Sequence, residues 1–405
     1  MLLSRLSKLC LFAIAMVALP TVTDAGHIEL FAVGSPDFST GYYAGTIGFG
    51  VSDNGVVAAT LNLGAANETA ATYTVGGSIY ALGVPARALA ISADGTKVTG
   101  FSASTLSGAM AWTAGTPNVS SLDTLLGYTQ GAAISRNGQY VAGVGGAPTS
   151  MATWNWDGTN GTALTNIGGG NFGWAGAVSN NGVVGGTSGG TTRVAAIGTV
   201  GAAGSVVQLG QGVLDNTIAN PYGKVLGINS DGTMLVGESS VDVGGTVYSH
   251  SFLVNDTGIS STLVDIGNPL GFDNTAARSV TDRLFAGSGL IVGNAWNGDK
   301  STPSAQAAVI WVPGSGPDLL ANYALSAWGI SVPAGYTLMT ANGISSDGRF
   351  ITGSARDDSG NQIGYLMVTG VPEPASFISL AIGAAATLYV RSRRRKGSVR
   401  TFDRI

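Results

Sequence analysis

GFGVSDNGVVAATL, residues 48–61, sets a short apolar run against a second one across Ser-Asp-Asn-Gly. Asn-Gly and Asp-Gly tolerate the positive φ that a tight hairpin needs, so the segment predicts two antiparallel strands joined by a turn. It recurs as LAISADGTKVTGFS (89–102), AAISRNGQYVAGVG (132–145), AVSNNGVVGGTSGG (177–190), GINSDGTMLVGESS (227–240) and GISSDGRFITGSA (343–355), with a degenerate copy LFAGSGLIVGNA (284–295). The turn glycines are Gly55, Gly95, Gly138, Gly182, Gly232, Gly289 and Gly348, spaced by 40, 43, 44, 50, 57 and 59 residues. One unit of forty-odd residues is therefore repeated, with insertions that lengthen along the chain.

The glycine that follows the second strand, as in Gly100, Gly143 and Gly237, is read as a close approach or bulge. A third strand is expected in AMAWTAG (109–115), MATWNWDG (151–158), SHSFLVNDTG (249–258), AAVIWVPGSG (307–316) and IGYLMVTG (363–370), and a fourth in Leu-rich stretches such as SSLDTLLG (120–127) and TLVDIGNPLG (262–271). Four short strands per unit make a propeller blade, so the expected fold is all-β, a seven-bladed β-propeller over residues 26–370. The last unit stops one strand short, and Ile28–Val33 has no hairpin partner; pairing these beside Ile363–Val368 closes the ring and removes two sheet edges. A β-helix or solenoid is the alternative, but it expects shorter and more uniform turns.

His250-Ser251-Phe252, followed by LVNDTG (253–258) and LVDIG (263–267), resembles the HAF-type extracellular repeat. Ser251 stands where that family has alanine, and other copies keep only Ala-Xaa-Trp. The resemblance implies a repeat fold and leaves function open.

Charged residues are only 10% of the 405, hydrophobic content is 44%, and Gly numbers 63. That hydrophobicity is too high for disorder and suits a β-rich protein whose surface is small side chains and hydroxyls. Of 19 Lys and Arg, two lie in the first ten residues and seven from Arg391 onward. The body lacks the basic stripe that phosphate backbones require, so no nucleic-acid partner is expected. Cys10, the single cysteine, permits no internal disulfide.

At the N-terminus Arg5 and Lys8 precede the apolar run Leu9–Leu19, then Pro20 and a small-residue ending, the order of a secretory signal peptide over residues 1–25 with cleavage after Ala25. At the other end Val371, Pro372, Glu373 and Pro374 precede sixteen uncharged residues, 375–390, and the basic cluster Arg391, Arg393, Arg394, Arg395 and Lys396. As a helix the uncharged stretch spans about 24 Å, a marginal but workable single transmembrane helix with a cytoplasmic stop-transfer cluster. This order, residues 371–396, resembles the PEP-CTERM sorting signal of bacteria. The resemblance implies Sec export, a transient stay in the inner membrane, cleavage by an exosortase, and delivery to the cell surface or extracellular polysaccharide. Residues 397–405, a cytoplasmic tail, extend beyond the usual end of such signals.

Catalytic chemistry is hard to find. With only His27 and His250 and one cysteine, a His-rich metal site and a Cys nucleophile are excluded by count, and no metal or cofactor is expected. His250 sits at a repeat position, where a structural role is expected. Asp357-Asp358 reads as a solvated turn. The Asp-Gly turns lack the alternating oxygen ligands of a calcium loop. Trp112, Trp154 and Trp311 fall in the repeat strands and are expected between blades, whereas Trp156, Trp174, Trp296 and Trp328 lie near Gly/Asn-rich loops and are candidates for stacking on sugar rings. The sequence thus points to a non-enzymatic exported scaffold or binding propeller, the alternative being a carbohydrate-active hydrolase or lyase. Three carboxylates, or an Arg/Tyr/Asp cluster, converging at one channel mouth would favour the enzyme; Thr, Ser and Gly there would favour binding.

Overall fold

In each repeated segment the residue before the turn ties the hairpin shut. Ser52 Oγ accepts the Val56 N–H (2.8 Å) and donates to Asn54 Oδ1 (2.5 Å), and Ser135 and Ser179 act alike; in the fifth copy Asn229 Oδ1 replaces the hydroxyl, accepting from Thr233 and Met234. The turn glycines Gly55 and Gly95 have φ of 76° and 72°, the left-handed region that Gly enters without a Cβ clash. Gly289 differs: it is not left-handed, and Thr281 Oγ1 accepts the Leu290 N–H across a longer connection.

The computed structural model describes residues 26–31, 45–63, 68–116, 119–122, 127–255, 261–282 and 289–369; the signal peptide, the sorting signal with its helix 375–390 and basic cluster, and the tail lie outside the described residues. Among the described residues no helix is long and apolar enough to cross a membrane.

After β1 (His27–Phe31), a meander of β2 (Gly45–Val51), β3 (Val56–Leu63), β4 (Thr69–Thr74) and β5 (Ser78–Ile91) runs on into β6 (Lys97–Ser102), β7 (Ala109–Thr113) and β8 (Val119–Ser121). Four-stranded antiparallel sheets follow: β9 (Gln130–Ile134), β10 (Tyr140–Gly145), β11 (Ser150–Asn155) and β12 (Thr162–Ala163); β13 (Phe172–Val178), β14 (Val183–Gly189), β15 (Arg193–Thr199) and β16 (Val207–Gln208). Next come β17 (Gly223–Ile228), β18 (Met234–Val243), β19 (Thr246–Asn255) and β20 (Val264–Asp265), then β21 (Asn274–Val280), β22 (Ile291–Asn297), β23 (Ala305–Val312) and β24 (Gly316–Leu319). The last sheet has β25 (Tyr336–Ile344), β26 (Phe350–Asp357), β27 (Gln362–Val368) and β1.

Two features differ from the sequence expectation. The first two units are joined in one seven-stranded sheet, because the 14-residue β5 pairs with β4 up to Pro85 and with β6 from Ala86 onward. A helix, α1 (Leu320–Trp328), interrupts the strands; it buries Leu320 and Ala324 one turn apart and stops at Gly329, whose φ is 69°. The closure appears as expected over Ile28–Phe31, residues 32 and 33 lying outside the described residues: β1 pairs antiparallel with β27, His27 opposite Val368 and Phe31 opposite Gly364. Side chains lock it, since Phe31 stacks on Tyr73 at 4.4 Å and Tyr73 Oη donates to Glu29 at 2.9 Å.

The core is divided accordingly. Each apolar cluster sits between consecutive units: Trp112 with Ala58 and Ala70, Trp154 with Ala109 and Leu122, Trp311 with Met234 and Val280, and Phe31 and Leu366 with Val51 and Tyr73 across the closure. Trp112, Trp154 and Trp311 are at most 3% exposed, as expected of residues packed between sheets.

Candidate functional site: a channel with two unlike mouths

The innermost strand of every unit carries an extra residue at the same place, two residues before its last paired one. The pairing registers skip Phe49, Leu89, Ala132, Gly176, Leu226, Arg278 and Asn342, so each is a β-bulge, and each lines the same cavity of about 260 Å³. Beside the bulge, the carbonyl two residues before it lies against the second strand. A Cβ on Gly100 would stand 1.7 Å from the Arg87 carbonyl oxygen, and one on Gly143 1.8 Å from that of Gln130. The repeat glycine is therefore a bulge partner inside the second strand, not a residue after it. Six of the seven bulged side chains are uncharged or absent; Arg278 is the exception.

At the turn-side mouth the residue after each strand end is linked to its neighbour around the cavity. Asp53 N–H donates to the Ala93 carbonyl, Ala93 to Arg136, Asn180 to Ser230 and Asp282 to Ser346. Asn180 Oδ1 accepts from Asn137 N–H. Asp282 accepts both the N–H and hydroxyl of Ser230 (2.8 Å each), and Asp53 both those of Ser346 (2.7 and 2.5 Å), which completes the circuit. Arg136 reaches across, donating to the Ile344 carbonyl at 2.8 Å and that of Val280 at 3.5 Å. Burial pushes its guanidinium pKa down, and Asp53, Asp282 and Asp347 oppose that shift. Asp347 is itself held by Ser345 and Arg349. Three carboxylates and an arginine do converge here, but Asp53, Asp282 and Arg136 bind groups of neighbouring units and Asp347 ties its own turn.

The other mouth lies about 13 Å away, taking ~3.3 Å per residue over the four residues from Trp174 to Val178. Here Lys224 Nζ lies 3.7 Å above the Trp174 ring, Arg193 stands 3.8 Å over Phe172, and Lys300 stands 5.0 Å over Trp296. One buried carboxylate serves them: Glu238, opposite Lys224 in the β17–β18 register, accepts from Lys300 at 2.5 Å. Burial alone would raise the Glu238 pKa, but Lys300, Lys224 and Arg278 hold it below the usual carboxylate range. Lys224 is pushed down to about 8, first by burial and then by Lys300, Arg278 and Arg193, against the pull of Glu238. Arg278 Nε donates to Asn294 Oδ1 at 2.8 Å. Among the described residues no carboxylate lines the cavity, and no cluster of three or more His, Cys, Asp or Glu is placed to hold a metal.

The four stacking candidates separate. Trp174 lines the cavity. Trp296 is 3% exposed and cannot present a ring face to solvent. Trp156 is half-buried against Leu122, Ile134 and Trp154, with Lys97 Nζ 4.8 Å from its ring. Trp328 is on α1 rather than in a loop, edge-on to Tyr323 at 5.0 Å. His250 is a strand residue whose Nδ1 is 2.7 Å from Asp265, so the His and Asp of the HAF-like motifs bind each other across β19 and β20. Asp357 caps its turn by accepting from Asn361. Sequence reasoning missed Lys224, Glu238, Arg278 and Lys300; the signal available was a cation at a bulge position that is otherwise uncharged.

No protein-family model matches the chain, and no curated protein matches it in sequence. In structure it is similar to the β-propeller domain of the Trilobed protease from Pyrococcus furiosus, described as having an open velcro topology, with a TM-score of 0.51 at 10% identity over 82% of this chain and 99% of that one. TolB from Acinetobacter baumannii gives 0.36 at 11% identity over 81% and 66% of the two chains, and dipeptidyl peptidase 4 from Porphyromonas gingivalis 0.37 at 10% over 83% and 60%. The first likeness carries the fold alone: residues 26–369 form a β-propeller.

Proposed function

We propose that the chain is an exported bacterial surface or extracellular-matrix protein whose body is a seven-bladed propeller that binds rather than catalyses. Export proceeds through the signal peptide 1–25, and sorting through the PEP-CTERM segment 371–396, with an exosortase as the processing partner and extracellular polysaccharide as the material bound. The observation that carries the binding reading is the contrast within the channel: the gathered acids are engaged in holding units together, while cations and an aromatic face occupy the opposite mouth. Glycoside cleavage needs two carboxylates flanking the bond to be broken, and the described cavity wall supplies none.

Two experiments test this. Deleting Pro372–Pro374 while keeping the helix should strand the intact protein in the inner membrane; release as efficient as wild type rejects the sorting reading. Retention of the purified protein on polysaccharide extracted from the producing cells should exceed that of a heat-unfolded control. A second reading, a carbohydrate-active hydrolase or lyase, is favoured by the convergence of Asp53, Asp282 and Asp347 around Arg136. It requires new reducing ends or unsaturated products from that polysaccharide, lost in Asp53→Asn or Asp282→Asn variants that still fold.

A further inference from the structure

We infer that the mouth formed by Trp174, Lys224, Arg278 and Lys300 is an anion site, which takes a carboxylate- or phosphate-bearing ligand presented as a uronate residue of a polysaccharide or as a free small anion. The inference rests on the binding reading and adds the ligand's charge. Four of the ten Lys and Arg between residues 26 and 370 meet here, from three neighbouring sheets, around the single acid Glu238. Concentrating like charges in a chain that otherwise avoids charge is costly, because each cation disfavours the next. A purely structural role for Glu238 would need one partner, which Lys300 already supplies.

The donors are also disposed for an external acceptor. Among the described residues Lys224 has an indole beneath it and no hydrogen-bond acceptor, and Arg278 uses Nε on Asn294, which leaves its two Nη groups for a planar oxyanion. Arg278 occupies the bulge that aims a residue into the channel, and the Trp174 ring lines that channel beside it. A cavity of about 260 Å³ admits an anionic group or one sugar-sized unit, so a polymer would be held by a single residue at the mouth.

The test uses the full chain purified in mild detergent and three probes: an oligoglucuronate, a neutral glucose oligomer of the same length, and inorganic phosphate. Oligoglucuronate binding is expected, at least tenfold tighter than the neutral oligomer and weakening as salt rises. Lys224→Met and Arg278→Met should each lower it tenfold or more while melting near wild type. Glu238→Gln, which removes the internal competitor for Lys224 and Lys300, should tighten binding severalfold, so the inference stays testable if Lys224→Met fails to fold. Phosphate binding as tight as oligoglucuronate assigns the site to a free anion instead of a polymer end. Neutral oligomer bound equally, with all three variants unchanged, overturns the anion site but leaves the binding propeller intact. If no probe binds and native polysaccharide is not retained either, both fail.

Discussion

Arg136 and Arg278 both reach into the same channel, from opposite ends of its wall, and differ in what they meet. Arg136 finds the Ile344 and Val280 carbonyls and a circuit of Asp–Ser contacts, so its charge is absorbed by the fold. Arg278 finds one amide oxygen and two further cations, Lys224 and Lys300, within electrostatic range of the same acid. The first mouth repeats a solution at every unit, and the second occurs once.

The largest effect expected from breaking this contrast lies on its repeated side. Gly100→Ala and Gly143→Ala each drive a methyl into a carbonyl oxygen that the bulge fixes in place, and should cost about 4 kcal/mol or more, enough to abolish cooperative unfolding in urea. Either variant unfolding within about 1 kcal/mol of wild type would sink the bulge account. Trp112→Ala, which empties a packed position between two units, should cost about 3–5 kcal/mol and shift the midpoint without changing the fold.

A matched pair tests the two mouths directly. Asp282→Ala strips Ser230 of the acceptor for both its N–H and its hydroxyl, and should cost about 1–2 kcal/mol, less than the full value for charged hydrogen bonds because the group is partly solvated. Arg278→Met should stay within about 0.5 kcal/mol, since the amide contact and the attraction to Glu238 that it loses are offset by relief of its desolvation and of its repulsion from Lys224. Denaturant titration of both variants decides it. Equal costs would mean that the second mouth is as structural as the first.

How much of this was legible follows from the same division. The turn glycines, the Ser before them and the glycine opposite six of the seven bulges recur, Ala59 taking that place in the first unit, so hairpins, sheets and the β1–β27 closure could be read from period and pattern. Helix α1 escaped because it falls in an insertion between β24 and β25, where no repeat sets an expectation. The merger through β5 escaped because nothing local distinguishes a long strand from two short ones when Val84-Pro85 sits at the join; Pro85 lacks an N–H, and β5 changes partner there. Among the tryptophans, proximity to loops did not separate Trp174 from the buried Trp296, since burial depends on which sheet packs over the loop. Lys224, Glu238 and Lys300 come from sequence positions up to 76 residues apart, and only the ring brings them to one place.

The remaining expected effect is a matter of pH, and it ties stability to the cation cluster. Lys224 in the fold loses its proton near pH 8, while in the unfolded chain it keeps it to about 10.5. Between those values the unfolded state binds more protons, so stability should rise with pH, with a slope below ~1.4 kcal/mol per pH unit because the side chain is partly exposed. Below pH 8 both states are charged, and the full cost of placing Lys224 beside Lys300, Arg278 and Arg193 is present. Tyr73, pushed up to about 12 by burial and its bond to Glu29, works the other way from about pH 10, so the interval from 8 to about 10 isolates the lysine. Urea midpoints across that interval should climb in wild type and lie flat in Lys224→Met, while oligoglucuronate affinity falls over the same range as the charge it binds is lost. A wild-type midpoint that stays flat between pH 8 and 10 would show that Glu238 holds Lys224 protonated, and that the repeated mouth is not alone in having its charges fully paired.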